Sequence, residues 1–180
     1  MDQDRNLVDL DDLRGYKALV VFIPWPFTGI CDDEACAIRD RLTTLNDLGT
    51  EVVVITCHAV PVAKKWADEN GFTFPVLSDF WPHGRVAREF GAFNESVGVA
   101  NRISFVLDSE GIIRNIINSG SLGTAREFAA YTDALAEIDP EVFTDFATVR
   151  PHVRLDEDHH RSIVWPTVGV WSASLPGTDV

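Results

Sequence analysis

Two apolar, β-branched runs separated by a helix-length segment constrain the fold of this chain more than any other feature. The runs are Ala18 to Pro24 (ALVVFIP) and Glu51 to Cys57 (EVVVITC). Continuous apolar runs of this kind are typical of strands that are buried on both faces of a sheet. Such strands pair in parallel only when a crossover helix joins them. The sequence therefore predicts a sheet with helices packed on both of its faces.

The segment between the two runs predicts the crossover helix. Turn-forming residues at Pro24, Pro26 and Gly29 end the first strand, and Thr28 or Gly29 begins a helix that should end near Gly49. The apolar positions of this helix recur at spacings of three and four residues: Cys31, Ala35, Ile38, Leu42 and Leu45. This pattern places Cys31 in the first turn of the helix.

The alternation of strands and helices continues to residue 138. The predicted elements are a helix over 61–70 closed by Gly71, strand 72–77, helix 84–90, strands 102–108 and 112–118, and helix 124–138. The turn Ser109-Glu110-Gly111 joins the last two strands as a hairpin. This order predicts an α/β domain over residues 1–138 with a thioredoxin-like fold, a central mixed β-sheet flanked by helices. Residues 139–180, interrupted by prolines, are expected to be a C-terminal extension of unknown role.

The charge balance and hydropathy narrow the range of partners. The 180 residues carry 15 basic and 28 acidic side chains, a formal net charge of -13. Such a surface repels nucleic acids and anionic membranes. The longest strongly apolar run, Ala18 to Ile23, is far shorter than the roughly 20 residues of a membrane span, and the acidic first residues do not resemble a signal peptide. We therefore expect a soluble, cytoplasmic protein with no nucleic-acid or membrane partner.

The three cysteines raise the question of reactivity. Cys31, Cys36 and Cys57 are an odd number and too few for a disulfide scaffold. Unpaired N–H groups at a helix N-terminus stabilise an anion. A helix N-terminus and nearby cations can lower the pKa of a cysteine from about 8.5 into a range of roughly 3.5–7.5. Cys31 is thus predicted to be an ionised nucleophile, and the alternative is a small buried hydrophobe on a helix face.

The segment around Cys31 resembles a known family. Pro24 to Cys31 (PWPFTGIC) matches P-x-x-x-T-x-x-C, the peroxiredoxin signature, at all three fixed positions. Further segments are similar to the alkyl hydroperoxide reductase E (AhpE) branch: GFTFPVLSDFWPHG at 71–84, FNE at 93–95, and ANR at 100–102 followed by SFVLD and GIIR. The resemblance covers roughly residues 7–138. It implies a thiol-dependent peroxidase that reduces hydrogen peroxide and organic hydroperoxides without a cofactor or a metal.

The resemblance also implies a role for each matching residue. Cys31 is expected to attack the peroxide and become a sulfenic acid. Thr28 is expected to hold its hydroxyl against the sulfur and the peroxide, and Pro24 to close one side of the pocket. Arg102 is expected to place a permanent cation beside Cys31; the alternative is a loop arginine in an exposed ion pair. The acidic residues 32–34 place negative charge near the thiol, which Arg102 has to offset.

The step that reduces the sulfenic acid back to the thiol has two possible routes. Cys36 follows Cys31 at the spacing of the resolving cysteine in the bacterioferritin-comigratory (PrxQ) branch, whereas the AhpE branch usually has one cysteine. Positions five apart on a helix lie about 140° apart, with Cα atoms roughly 8.7 Å apart, and a disulfide needs about 4.4–6.8 Å. A resolving Cys36 therefore requires the first turns to unwind; the alternative is a cysteine without a redox role.

The resemblance implies partners as well. The reductant is expected to be thioredoxin, mycoredoxin or a low-molecular-weight thiol such as mycothiol, and the protein is expected to be a homodimer. FWPHG at 80–84 is expected to pack near the pocket or at a dimer face. Two other functions remain open: a thiol-disulfide oxidoreductase, which normally carries C-x-x-C where this chain has T-x-x-C, and a redox sensor or holdase that reacts only once.

The remaining candidates have simpler interpretations. Cys57 is expected to be a buried structural thiol. No C-x-x-C or H-x3-H spacing supports a zinc site that includes Cys57 and His58. The acidic run with two histidines, 156–160, is expected to be a solvated part of the extension.

Overall fold

The computed structural model describes residues 1–138. The extension over 139–180, including the acidic run at 156–160, lies outside the described residues, so the two-part organisation of the chain stays a prediction. Within the described part, no helix combines the length and the apolar character needed to cross a membrane.

The elements follow the predicted alternation. The strands are β1 (Lys17–Phe22), β2 (Thr50–Thr56), β3 (Val76–Ser78), β4 (Phe93–Asn94), β5 (Val99–Ala100), β6 (Ile103–Leu107) and β7 (Ile113–Asn118). The helices are α1 (Gly29–Asp40), α2 (Leu42–Asp47), α3 (Val60–Asn70), α4 (Arg85–Glu89) and α5 (Phe128–Ala136), preceded by a 3-10 turn at Leu10–Leu13. Gly71 ends α3 in the left-handed conformation with φ of 66°, as the glycine after the helix predicts.

The main sheet is mixed, with the strand order β3-β2-β1-β6-β7. The two apolar runs pair in parallel, with Leu19 opposite Val52, because α1 and α2 provide the crossover between them. β6 runs antiparallel to β1, and β7 runs antiparallel to β6 as the predicted hairpin. The predicted class, a thioredoxin-like α/β fold with a central mixed sheet flanked by helices, is confirmed.

The core has two halves, one on each face of the sheet. Side chains of β1 alternate between them, so that Leu19 and Val21 face one half and Val20 and Phe22 face the other. The first half is packed by α1, α2, α3 and α5, and the second by α4. β1 is buried on both faces, so its carboxyl end lies at the edge of the core. The residues that follow β1 therefore begin next to the core.

Several local features differ from the predictions. The helix predicted over 124–138 begins only at Phe128, because Glu127 before it has extended backbone angles. The single helix predicted up to Gly49 is broken at Arg41, which has φ of -118° and ψ of 20° and whose guanidinium lies over the ring of Phe128. Strand 72–77 is reduced to β3, because the rings of Phe72 and Phe74 stack on each other at 5.0 Å and fill the core beside α3. The ribbon of β4 and β5 was not predicted, since two-residue strands carry no periodicity.

Candidate active site

The loop after β1 brings the signature residues to the origin of α1. Pro24 is buried directly beyond the strand, and Thr28 occupies the N-cap position with extended backbone angles. Cys31 is the third residue of the helix and has no exposed surface. Phe27, one residue before the cap, has a positive φ of 65° and an exposed ring. The sulfur of Cys31 therefore lies in the first turn, among the helix N–H groups that lack partners within the helix.

Arg102 contacts the thiol directly. Its Nη2 lies 3.2 Å from Sγ of Cys31, and its side chain is 2% exposed. The arginine stands immediately before β6, the antiparallel neighbour of β1, so the two strands bring residues 71 positions apart into contact. A guanidinium in this position is a permanent cation whose N–H group points at the sulfur.

A buried carboxylate orients that guanidinium. Glu34, one helical turn after Cys31, forms an ion pair with Nη1 of Arg102, while Nε of the arginine donates to the carbonyl oxygen of Leu122 at 3.0 Å. Only 3% of the Glu34 side chain is exposed. With two of its nitrogens held, the third faces the sulfur.

A second arginine completes the cluster. Arg126 holds both carboxylate oxygens of Glu34, through Nε at 3.0 Å and Nη2 at 3.1 Å, and its backbone N–H donates to the same carboxylate. Its remaining nitrogen, Nη1, donates to the carbonyl oxygen of Phe22 and to the hydroxyl of Ser104. Two guanidinium groups and one carboxylate leave one positive charge in surplus beside the sulfur of Cys31.

The acidic residues after the thiol have separate partners. Asp32 to Glu34 were expected to place negative charge near Cys31 for Arg102 to offset, and Arg102 does pair with Glu34. Arg126 pairs with the same carboxylate, which therefore anchors two arginines. Asp32 turns toward α3, where its carboxylate accepts a hydrogen bond from the indole N–H of Trp66 at 2.7 Å.

Thr28 is positioned by its own loop. Its hydroxyl donates to the carbonyl oxygen of Trp25 at 2.8 Å. Since a hydroxyl has one proton and two lone pairs, this bond leaves the oxygen able to accept. The predicted contact of Thr28 with the sulfur of Cys31 stays a prediction.

Cys36 lies on another face of the same helix. Because α1 is continuous from Gly29 to Asp40, the two cysteines point in different directions, and all three cysteines of the chain are free. The thiol of Cys36 donates to Oδ1 of Asn70 at 3.6 Å. Burial raises the pKa of the Cys36 thiol. Its role as resolving cysteine stays a prediction.

Cys57 lies on the opposite side of the sheet from Cys31. The side chain of Cys57 belongs to the core half packed by α4, whereas Cys31 belongs to the half packed by α1 and α3. Burial raises the pKa of Cys57 to about 11. Within residues 1–138, no group of three or more His, Cys, Asp or Glu side chains is arranged to hold a metal ion.

Neither the anchoring role of Glu34 nor the presence of Arg126 in the site was predicted from the sequence. Glu34 carried a usable signal, since it lies three residues after Cys31 and therefore on nearly the same side of the helix. No sequence signal indicated Arg126, because its contact with Glu34 spans 92 positions and depends on the path of the residues just before α5.

Comparisons with known proteins identify the family of this chain. The model of the AhpC/TSA family matches residues 1–116. Alkyl hydroperoxide reductase E of Mycobacterium tuberculosis is 45% identical over 138 residues, covering 76% of this chain and 90% of the relative. Peroxiredoxin Bcp of Escherichia coli is 30% identical, covering 65% of this chain and 78% of the relative. The crystal structure of peroxidoxin BcpB from Mycobacterium tuberculosis superposes with a TM-score of 0.65 at 28% identity, covering 75% and 86% of the two chains.

The fold, the buried thiol at the helix origin and these relatives define a thiol-dependent peroxidase of the peroxiredoxin class. The chain belongs to the AhpC/TSA family, and its identity to alkyl hydroperoxide reductase E supports the AhpE-like branch. The resemblance noted in the signature segment is thereby confirmed.

Proposed function

We propose that Cys31 is the peroxidatic cysteine, on the strength of its buried contact with Arg102 at 3.2 Å. The thiolate sulfur attacks one oxygen of the hydroperoxide, a sulfur–oxygen bond forms and the O–O bond breaks. The leaving oxygen departs as water or an alcohol after it takes up a proton. The sulfur loses two electrons to the peroxide and becomes a sulfenic acid.

The neighbouring residues have distinct roles in this step. Arg102 stabilises the negative charge on the sulfur and on the separating oxygens, since Glu34 and Arg126 fix its guanidinium before the reaction begins. Thr28 accepts a hydrogen bond from the peroxide, because its own proton is committed to Trp25. Pro24 has no N–H group and closes the pocket without competing for the sulfur.

Resetting the enzyme requires a second thiol. Cys36 attacks the sulfenic sulfur as a thiolate, a disulfide forms, and hydroxide leaves and is protonated to water. A thioredoxin, a mycoredoxin or a low-molecular-weight thiol then reduces the disulfide, or reduces the sulfenic acid directly. A cytoplasmic location, where such reductants are abundant, stays part of the proposal.

A homodimer is the assembly we propose. Three large aromatic side chains, Phe27, Phe80 and Trp81, are exposed, and Trp81 is 84% exposed. Large apolar side chains at the surface are typical of interfaces. Sedimentation of the wild type and of Trp81→Asp tests the proposal: a dimer that the substitution dissociates supports it, and a monomeric wild type contradicts it.

Multiple-turnover assays test the proposed function. Consumption of hydrogen peroxide and of cumene hydroperoxide is followed with dithiothreitol or with thioredoxin and its reductase, for the wild type and for Cys31→Ser, Cys36→Ser and Cys57→Ser. We expect Cys31→Ser to abolish turnover with every reductant. Cys36→Ser should retain turnover with dithiothreitol and lose it with thioredoxin if Cys36 resolves. Turnover by Cys31→Ser, or insulin reduction by a wild type that consumes no peroxide, contradicts the assignment.

A further inference from the structure

One face of α1 is tied to α3 at each successive turn. Asp32, Cys36 and Arg39 are spaced four and three residues apart, which aligns them along one side of the helix. The Asp32 carboxylate accepts from the indole of Trp66 at 2.7 Å, the Cys36 thiol contacts Oδ1 of Asn70, and Nη1 of Arg39 donates to the Asn70 carbonyl oxygen at 2.6 Å. Nδ2 of Asn70 in turn donates to the carbonyl oxygen of Trp66. These contacts make a continuous seam along the two helices.

A different face of α1 is held by the arginine cluster. Glu34 lies between Cys31 and Cys36 in sequence, and two buried guanidinium groups grip its carboxylate. Pulling that carboxylate away leaves buried charges without partners, which is strongly unfavourable. The part of the helix that can unwind at lower cost is therefore residues 29–33, before Glu34. Unwinding this part releases Cys31 while Cys36 remains on its helical turn.

Within residues 29–33, the Asp32 side chain is tied to α3. Its partner, the Trp66 side chain, has no exposed surface, so the indole N–H cannot turn to water when the carboxylate leaves. A buried donor without an acceptor is costly. Releasing the first turn therefore requires breaking this bond at the expense of an unsatisfied donor.

We propose that the hydrogen bond from Trp66 to Asp32 is a latch that keeps the first turn of α1 folded and, through a rapid opening equilibrium, lowers the fraction of oxidised molecules in which Cys31 can reach Cys36. The proposal rests on the proposed function, because it concerns the resolving step of that reaction. Asp32 is a positioning residue: it acts through the helix and touches no reacting atom. While the latch is closed, Cys31 stays against Arg102, where it reacts with peroxide.

The latch determines how long the sulfenic acid persists. A closed latch prolongs its exposure to a second peroxide molecule, which oxidises it to the sulfinic acid with loss of water or alcohol from that peroxide. Opening the latch allows Cys36 to form the disulfide first. Weakening the Asp32–Trp66 bond should therefore accelerate disulfide formation and reduce overoxidation, without changing the first reaction with peroxide.

Four substitutions separate the latch from a general charge effect. Asp32→Ala removes the acceptor, whereas Asp32→Asn removes the charge and keeps an acceptor oxygen in place. Asp33→Ala is the matched control, because Asp33 is the exposed neighbouring carboxylate on the same turn. Trp66→Phe removes the donor from the other side and provides a second variant should Asp32→Ala fail to fold.

The experiment is a quenched-flow single turnover. Each variant is mixed with one equivalent of hydrogen peroxide, quenched in acid, alkylated and analysed by mass spectrometry for Cys31 sulfenic acid and for the Cys31–Cys36 disulfide. We expect all variants to form the sulfenic acid within about twofold of the wild-type rate. Asp32→Ala and Trp66→Phe should form the disulfide roughly tenfold faster, the size expected for one net hydrogen bond. Asp32→Asn and Asp33→Ala should remain within about threefold of the wild type.

Other outcomes overturn the latch. Equal disulfide rates for Asp32→Ala and Asp33→Ala contradict it, and so does an acceleration in Asp32→Asn as large as that in Asp32→Ala. A wild type that forms the Cys31 sulfenic acid but leaves Cys36 free also contradicts it, while the peroxidase assignment stands. If Cys31 is not oxidised at all, the proposed function itself fails.

Discussion

The guanidinium of Arg102 lies 3.2 Å from the sulfur of Cys31, inside a cluster from which water is almost entirely excluded. Electrostatic interactions are strong in such surroundings, because little solvent screens them. Glu34 and Arg126 hold the guanidinium in place, so no reorganisation is needed when the peroxide arrives. The contact joins β6 to the origin of α1, and every role proposed for the site depends on it.

Replacing Arg102 by lysine tests the value of its geometry. A lysine keeps the positive charge, but its single ammonium group lacks the separate nitrogens with which the guanidinium contacts Glu34 and Cys31 at the same time. We expect the second-order rate constant with hydrogen peroxide to fall about 10²- to 10³-fold, as for loss of a preorganised donor. Rapid mixing measures it, with Arg114→Lys as the control, since Arg114 pairs with Asp108 and is half exposed. A decrease of less than threefold contradicts the role.

Glu34→Gln tests the anchor of the cluster. The amide keeps the shape of the side chain but leaves two buried guanidinium groups without a counter-charge. Breaking a buried ion pair in this way costs about 3–5 kcal/mol of folding free energy. Urea unfolding of the reduced protein should show this loss, and peroxide reduction should slow because Arg102 is released. Asp33→Asn, an exposed neighbour with the same change of charge, should unfold like the wild type; equal effects of the two substitutions are incompatible with the anchor.

Cys57 is predicted to take no part in turnover. It lies on the other side of the sheet from Cys31, and burial raises its pKa to about 11, so the thiol is protonated at neutral pH. Cys57→Ala should keep peroxide turnover within about twofold of the wild type. In the native protein at pH 7.5, iodoacetamide should alkylate Cys57 far more slowly than after unfolding. Fast native alkylation, or a disulfide that includes Cys57, argues against this prediction.

The resolving step should accelerate with increasing pH. The attacking species is the Cys36 thiolate, and burial raises the pKa of this thiol above its ordinary value. At neutral pH the thiol is therefore mostly protonated, and the thiolate fraction rises about tenfold per pH unit below the pKa. Quenched-flow measurement of disulfide formation between pH 6.5 and 9 should show a steady increase. The latch sets how often Cys31 reaches Cys36 and the thiolate fraction sets how often that encounter reacts, so a rate independent of pH contradicts this prediction.

The sequence predicted the features that depend on local patterns. The apolar runs placed β1 and β2 in the interior, and the glycine and proline positions gave the origin of α1 and the end of α3. The signature also placed Cys31 in the first turn of α1. These features depend on residues close together in the chain, where periodicity and turn residues carry the information.

The features that were not predicted depend on contacts between distant segments. The contact between Arg126 and Glu34 requires the residues just before α5 to lie beside α1. No local sequence pattern indicates this arrangement. The side of the sheet that Cys57 occupies follows from the register of β2, where a shift of one residue would reverse it. The hydrogen bond between Asp32 and Trp66 likewise appears only when α3 packs against α1.

The most direct test is to identify the first atom that peroxide oxidises. The reduced protein is mixed with one equivalent of hydrogen peroxide in the presence of dimedone, which traps sulfenic acids, and the adduct is located by peptide mass spectrometry. We predict a single dimedone adduct on Cys31 and none in Cys31→Ser, which should leave the peroxide unconsumed. An adduct that forms first on Cys36 or Cys57, or peroxide consumption by Cys31→Ser at the wild-type rate, contradicts the account.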